Sequence, residues 1–182
     1  SYWAFANGKM GLADAAGQIL IKPQFDLIHP FHGTQAMAVV NGQTGVIDQT
    51  GEWVINPGAF PGLTPVGTEG YLVQTEANEW GFADRAGQLR ITPEYGHLRA
   101  LAPGVLIAQR AGQFGLLHRS GQSLTPLQYR MLKGCSDYSA TDELCQALRA
   151  ANAAAQFVSD DGFGYLDALG REHPPALPST EA

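Results

Sequence analysis

Five times along the chain a glycine is followed six positions later by a second glycine, with an aspartate three positions after the first in four copies and a histidine there in the other. The copies open at Gly11, Gly45, Gly81, Gly115 and Gly164, carry Asp14, Asp48, Asp84, His118 and Asp167, and close at Gly17, Gly51, Gly87, Gly121 and Gly170. The opening glycines are separated by 34, 36, 34 and 49 positions. A recurrence of that length means one small structural unit copied in series, each copy burying its faces against its neighbours.

The chemistry of one copy predicts its shape. Met37-Ala38-Val39-Val40 is apolar and partly β-branched, and Asn41-Gly42 follows it. Asn-Gly between extended segments is a hairpin signal, since both residues tolerate positive φ. After Gly45-Val46-Ile47 comes Asp48-Gln49-Thr50-Gly51, with the Asp and Gly placement of a type I turn. Glu52-Trp53-Val54-Ile55 then supplies a third strand. Trp53 with Ile55, Ile19 with Ile21 and Leu89 with Ile91 are expected to share a face at period two. Pro57 is expected to end the ladder, having no N–H to donate. All fourteen motif residues, the two glycines of each copy and the four aspartates, are taken as structural turn positions. The expected fold is mostly β: five three-stranded antiparallel meanders in an open solenoid or a propeller-like ring.

The shared pattern extends beyond the second glycine. Pro23, Pro57 and Pro93 stand twelve residues after the first glycine and Pro126 eleven after, with Phe25, Phe60, Tyr95 and Tyr129 close behind. Together with Trp80-Gly81-Phe82-Ala83-Asp84, these residues resemble the WG-repeat family, whose consensus runs Trp-Gly, two apolar residues, Asp, two variable residues, Gly, an apolar strand and Pro. The likeness covers nearly all of residues 1–175 outside one insertion. The tryptophan itself stands only at Trp80; Met10, Thr44, Phe114 and Phe163 replace it elsewhere. The resemblance implies a bacterial, often exported interaction module rather than a catalyst.

Boundaries follow from the period: one β domain over 1–175, with repeats at about 1–23, 36–57, 71–93, 105–126 and 155–175, and a loose tail at 176–182. The long fourth interval holds a helical insertion over 133–155. Residues 141–155 are rich in Ala and Leu, Thr141 is a suitable N-cap, and Leu144, Leu148 and Ala151 fall on one helical face. Cys135 and Cys145 are the only cysteines and flank the start of that helix. A disulfide pinning the insertion is expected, and with it an oxidising, periplasmic or extracellular setting; two buried free thiols are the alternative. Ser1 in place of Met suits a processed export product or a trimmed sequence.

Catalysis finds no foothold. The aspartate row follows the turn phase, and no Gly-x-Ser-x-Gly, His-Glu-x-x-His or phosphate-cradling loop occurs. His29 and His32 have no acidic or cysteine partner nearby, so neither a metal nor another cofactor is expected. Of 182 residues, 45% are hydrophobic and only 11 are Lys or Arg. A net charge of −6 without a basic stripe argues against nucleic acid. No apolar run reaches membrane-spanning length.

What remains is recognition. The expectation is a non-catalytic, exported bacterial module that binds another protein, with a basic surface as the complement of its own charge. An inhibitor or immunity protein for a toxin or cell-wall enzyme is its specific form. Carbohydrate or peptidoglycan binding is the rival, through exposed aromatics beside planar polar groups. Trp53 and Trp80 sit at core-type repeat positions and are expected to be mostly buried. Phe31 and His32 in a connector, and Tyr138 in the insertion, are therefore the candidate contact residues.

Overall fold

The structure is a computed structural model and describes residues 2–135, 143–150 and 152–175. Ser1, Tyr138, Thr141 and the tail at 176–182 lie outside the described residues. Five antiparallel sheets follow one another in chain order. The first holds β1 (Tyr2–Ala6), β2 (Lys9–Ala13) and β3 (Ile19–Phe25); the second holds β4 (Leu27–Ile28), β5 (Gln35–Val40), β6 (Gln43–Asp48) and β7 (Trp53–Ile55). The third comprises β8 (Gly62–Val66), β9 (Gly70–Gln74), β10 (Trp80–Asp84) and β11 (Leu89–Tyr95). In the fourth are β12 (His97–Ala102), β13 (Val105–Arg110) and β14 (Gln113–His118). The fifth contains β15 (Met131–Gly134), β16 (Ala155–Ser159), β17 (Gly162–Leu166) and β18 (Glu172–His173), with helix α1 (Glu143–Ala150) between β15 and β16.

Local chemistry builds the turns. The Asp14 carboxylate accepts the N–H groups of Ala16 at 2.8 Å and Gln18 at 2.9 Å. Asp48, Asp84 and Asp167 each accept the N–H groups two and four residues on. His118 Nδ1 takes only the nearer one, from Ser120 at 3.2 Å. The closing glycines lie at φ of 83, 86, 78, 91 and 79°, the left-handed region that costs other residues about 1–2 kcal/mol. Asn41 at φ 52° and Gly42 at 76° close the β5–β6 hairpin.

The Asp48 carboxylate carries a pH signature. The Thr50 hydroxyl at 2.6 Å, with backbone N–H groups beside it, holds the Asp48 carboxyl below its ordinary 3.8 against a smaller opposing effect of burial. A lowered folded pKa gives stability that is present above the unfolded value and lost as pH falls through the folded one. Asp48→Asn keeps an acceptor but does not titrate. Its Tm is expected to fall less than the parent's between about pH 5 and pH 2; parallel decreases in thermal unfolding would dismiss the carboxylate as a contributor.

The opening glycines correct the sequence expectation. They are not turn residues: Gly11, Gly45, Gly81, Gly115 and Gly164 sit inside β2, β6, β10, β14 and β17. Each is glycine because the next segment of chain folds onto it. A Cβ on Gly11 would lie 2.3 Å from the Ile21 carbonyl oxygen, and one on Gly81 2.4 Å from that of Ile91. Pro57 does stand past the end of β7, which closes at Ile55, but the rule does not extend to the other copies, since Pro23 and Pro93 lie within β3 and β11. Both strands are sheet edges, where the missing N–H faces away from the ladder. The shared faces at period two also fail. Leu12 pairs with Ile21 but Ala13 with Ile19, so a bulge at Leu20 leaves Ile19 half exposed while Ile21 is buried. Leu89 is likewise exposed beside buried Ile91.

Among the described residues only the first and fourth sheets are three-stranded. The connectors after the prolines supply an outer strand to the sheet that follows, which the sequence reads as loop. Packing divides the chain into two compact units, Ser1–Pro93 and Glu94–Ala182, where the sequence draws one domain. Repeats make most contacts with their neighbours, which favours such a division. In the first unit Ile21, Phe25, Ile28, Ala36, Ala38 and Ile47 form one core, and Val46, Ile55, Tyr71, Val73 and Ala83 another. Phe25 meets Trp53 edge-on at 5.4 Å. The core of the second unit gathers Val105, Ile107, Leu116, Tyr129, Leu132 and Phe157. There the Tyr129 hydroxyl donates to Glu172 at 2.6 Å, and burial together with that carboxylate pushes its pKa up to about 12.

The insertion is smaller than 133–155. Residues 131–134 pair with β16, α1 has eight residues, and Ala155 already belongs to β16 opposite Leu166. Asn152 at φ 49° breaks the helical path despite the surrounding alanines. Cys135 and Cys145 form a disulfide with Cα atoms 4.9 Å apart, and among the described side chains of α1 Cys145 and Leu148 are buried.

Candidate functional site

The first unit carries an open pocket of about 690 Å³. Its lining is Trp3 from β1, Leu12 from β2, Leu20 from β3, Pro30 and Phe31 from the connector between β4 and β5, and Gln49 and Thr50 from the turn after β6. Each comes from a feature already described. Trp3 and Leu12 are cross-strand partners, Leu20 is the bulged residue turned out of the ladder, and Thr50 is fixed by two hydrogen bonds to Asp48. The lining holds no charged side chain, and Gln49 and Thr50 are its polar edge. Trp3 is 40% exposed and Leu20 46%. An apolar hollow with a few polar groups at its rim has the make-up common to ligand pockets.

Of the candidate contact residues, Phe31 lines this pocket and His32 does not. The His32 backbone N–H donates to the Gln35 carbonyl at 2.8 Å, and its own carbonyl accepts the Arg85 guanidinium at 3.4 Å, leaving the ring exposed. Next to it, Gln35 is buried in a network that sequence patterning does not reveal. Its amide donates to the Arg85 carbonyl at 2.6 Å and its oxygen accepts from the Tyr71 hydroxyl at 3.0 Å. Trp53 and Trp80 are half-buried. Among the described residues no group of three or more His, Cys, Asp or Glu is placed to hold a metal ion, and no helix is long and apolar enough to cross a membrane. In the second unit a cavity of about 380 Å³ is lined by Ala102, Ala153, Ala154 and Ala168 with Leu148, Arg149 and Asn152.

The family model described as WG containing repeat matches residues 10–41, 45–73 and 80–102. The chain is a WG-repeat protein. The match takes in the first three copies of the motif. In this WG-repeat protein the same crowding of the opening glycine recurs beyond it, where Cβ atoms on Gly115 and Gly164 would stand 2.6 Å from the carbonyl oxygens of Pro126 and His173. No curated protein matches. Among solved structures, a virginiamycin B lyase from Staphylococcus aureus aligns at 16% identity and a TM-score of 0.33 over 94% of this chain. The WG-repeat chain spans 64% of the length of that lyase.

Proposed function

We propose that this WG-repeat protein is a non-catalytic bacterial protein-binding module that takes an apolar side chain or short segment of its partner into the Trp3–Phe31 pocket. Membership of a repeat family points to a binding role. The observation that carries the choice of a protein ligand is the lining: Trp3, Leu12, Leu20, Pro30 and Phe31 are apolar, and nothing charged faces the hollow. The disulfide fits an oxidising compartment, so the module works in the periplasm or outside the cell. Inhibition of a toxin or cell-wall enzyme is its specific form, and the net charge of −6 suits a partner with a basic surface.

One observation favours the glycan alternative, the placing of Trp3 and Phe31 beside the Gln49 amide. A photo-crosslinking residue at position 31, tested in envelope extracts against one at exposed Phe163, separates the two. Adducts with one protein at 31 alone are expected. Phe31→Ala is then expected to weaken that partner by at least about thirtyfold, as for a buried aromatic anchor. Retention of a peptidoglycan fragment with no protein adduct would replace this reading by the glycan one.

A further inference from the structure

Two hollows of this chain stand at the same place in the repeat. The pocket of the first unit is rimmed by Gln49, the residue after the capping Asp48, and by Pro30 and Phe31, which precede β5. The cavity of about 380 Å³ in the second unit is rimmed by Ala168, the residue after the capping Asp167, and by Asn152, Ala153 and Ala154, which precede β16. Strands β5 and β16 are equivalent, since Ala38 faces Gly45 as Phe157 faces Gly164. The connector is what differs. Before β5 it is a short loop, and before β16 it carries α1. The insertion thus refits a hollow that the repeat already provides, from an aromatic rim to one bearing a guanidinium and a carboxamide.

The guanidinium belongs to Arg149, in the last turn of α1. Arg90, Arg110 and Arg130 pair with Asp84, Glu94 and Asp160. Among the described residues the Arg149 guanidinium has neither a hydrogen bond nor an ion pair. No acidic side chain lines the cavity, and the neighbouring Asp167 carboxylate is occupied by the N–H groups of Leu169 and Arg171 and by His173. The helix end that carries Arg149 is held in place. Cys145, one turn earlier, is buried and bonded to Cys135, and Leu148 is buried. The last helical carbonyls are occupied too: that of Leu148 accepts the Ala153 N–H at 2.8 Å, and that of Arg149 the Asn152 N–H at 3.1 Å. An anion at this helix end therefore does not face bare carbonyl dipoles. The Ala154 N–H donates to the Leu166 carbonyl at 2.7 Å, which ties the alanine side of the cavity to β17.

We infer that this cavity binds a carboxylate on a short aliphatic body, with the carboxylate at Arg149 and Asn152 and the body over Ala102, Ala153, Ala154 and Ala168. A guanidinium is a planar fork that matches the two oxygens of a carboxylate. The Asn152 amide adds a neutral donor, and the alanine methyl groups leave room for a carbon chain beside it. A phosphate, with a second charge to neutralise, would find a single cation. The site is separate from the Trp3–Phe31 pocket, and neither reading depends on the other.

The test is a titration of the whole protein with sodium butyrate at constant ionic strength, followed by backbone amide NMR shifts. Saturable shifts at Ala102, Asn152, Ala153, Ala154 and Ala168 are expected, half-complete at about 1–10 mM for so small a ligand. Butyramide, which has the shape without the charge, is expected to bind the parent protein at least about tenfold more weakly. Butyrate is expected to bind Arg149→Met more weakly by the same factor, although the variant keeps the aliphatic stem of the side chain. Asn152→Gly suits the φ of 49° and removes only the amide, for an expected loss of about threefold. Phe31→Ala leaves the affinity unchanged. Acetyl-Ala-Ala identifies the source of the carboxylate. Binding tighter than that of butyrate, and lost when the peptide is amidated, assigns the site to a peptide chain end; weaker binding assigns it to a free acid. Shifts that never saturate, equal affinity for butyramide, or full affinity in Arg149→Met would each overturn the inference.

Discussion

Gly81→Ala is expected to cost about 3 kcal/mol, near the top of the range for overpacking a close-packed site, and to lower Tm by roughly 6–12 °C. Gly17→Ala, at the other glycine of a motif, is expected to cost only about 1 kcal/mol. The order is the reverse of what turn chemistry alone predicts. Gly17 has the positive φ, 83°, yet a Cβ there meets nothing within 4 Å. The new methyl group on Gly81 would lie 2.4 Å from the Ile91 carbonyl oxygen, 2.8 Å from Pro93 N and 2.9 Å from Pro93 Cγ. Those are backbone and ring atoms that cannot swing aside as a flexible side chain would. Relief requires β11 to lift from β10, which surrenders ladder hydrogen bonds along the edge of the third sheet. Paired thermal melts followed by circular dichroism measure both losses. Equal decreases would mean that the opening glycine is kept for backbone freedom and not for room.

That contrast marks where the sequence is legible. The Asp48 cap and the positive φ of Gly51 are satisfied by atoms within four residues, so spacing alone reveals them. The same holds for the Asn41-Gly42 hairpin. The opening glycine answers to a strand that folds back from ten residues away, and its space requirement leaves no local mark. Strand β4 is two residues between Asp26 and His29, too short for any periodicity, and exists because β5 offers it a ladder. The pocket depends on the bulge at Leu20, which a strict period of two smooths over. Phe31 could be singled out, and it does line the pocket, because a large aromatic beside a proline in a connector has no repeat position to fill. Leu12, Leu20, Gln49 and Thr50 all occupy repeat positions and look structural. At the insertion the local preference loses outright: Ala153, Ala154 and Ala155 are good helix formers, but Ala155 is claimed by pairing with Gly134 and Leu166.

Removing the disulfide is expected to lower the stability of the second unit by about 3 kcal/mol, the loop-closure value for a bridge of this span. The eight residues of α1 are too few to hold a helix in water without tertiary support. Its anchors are Cys145, with 0% exposure, and Leu148, with 2%. The bridge to Cys135 ties that short helix to the end of β15, one residue past Gly134, whose partner Ala155 opens β16. Both β15–β16 pairing and helix docking therefore draw on one covalent link. Cys145→Ser and treatment of the parent with dithiothreitol are expected to lower Tm by similar amounts, with Cys145→Ser slightly worse because it also buries a hydroxyl. Hydrogen exchange gives the finer readout. Amides of β15 and β16 should lose protection on reduction, while those of β5 and β6, which belong to the cores of the first unit, keep theirs. A parent whose Tm ignores the reductant would mean that the thiols are not paired in solution, and the case for an oxidising compartment would fall with the bridge.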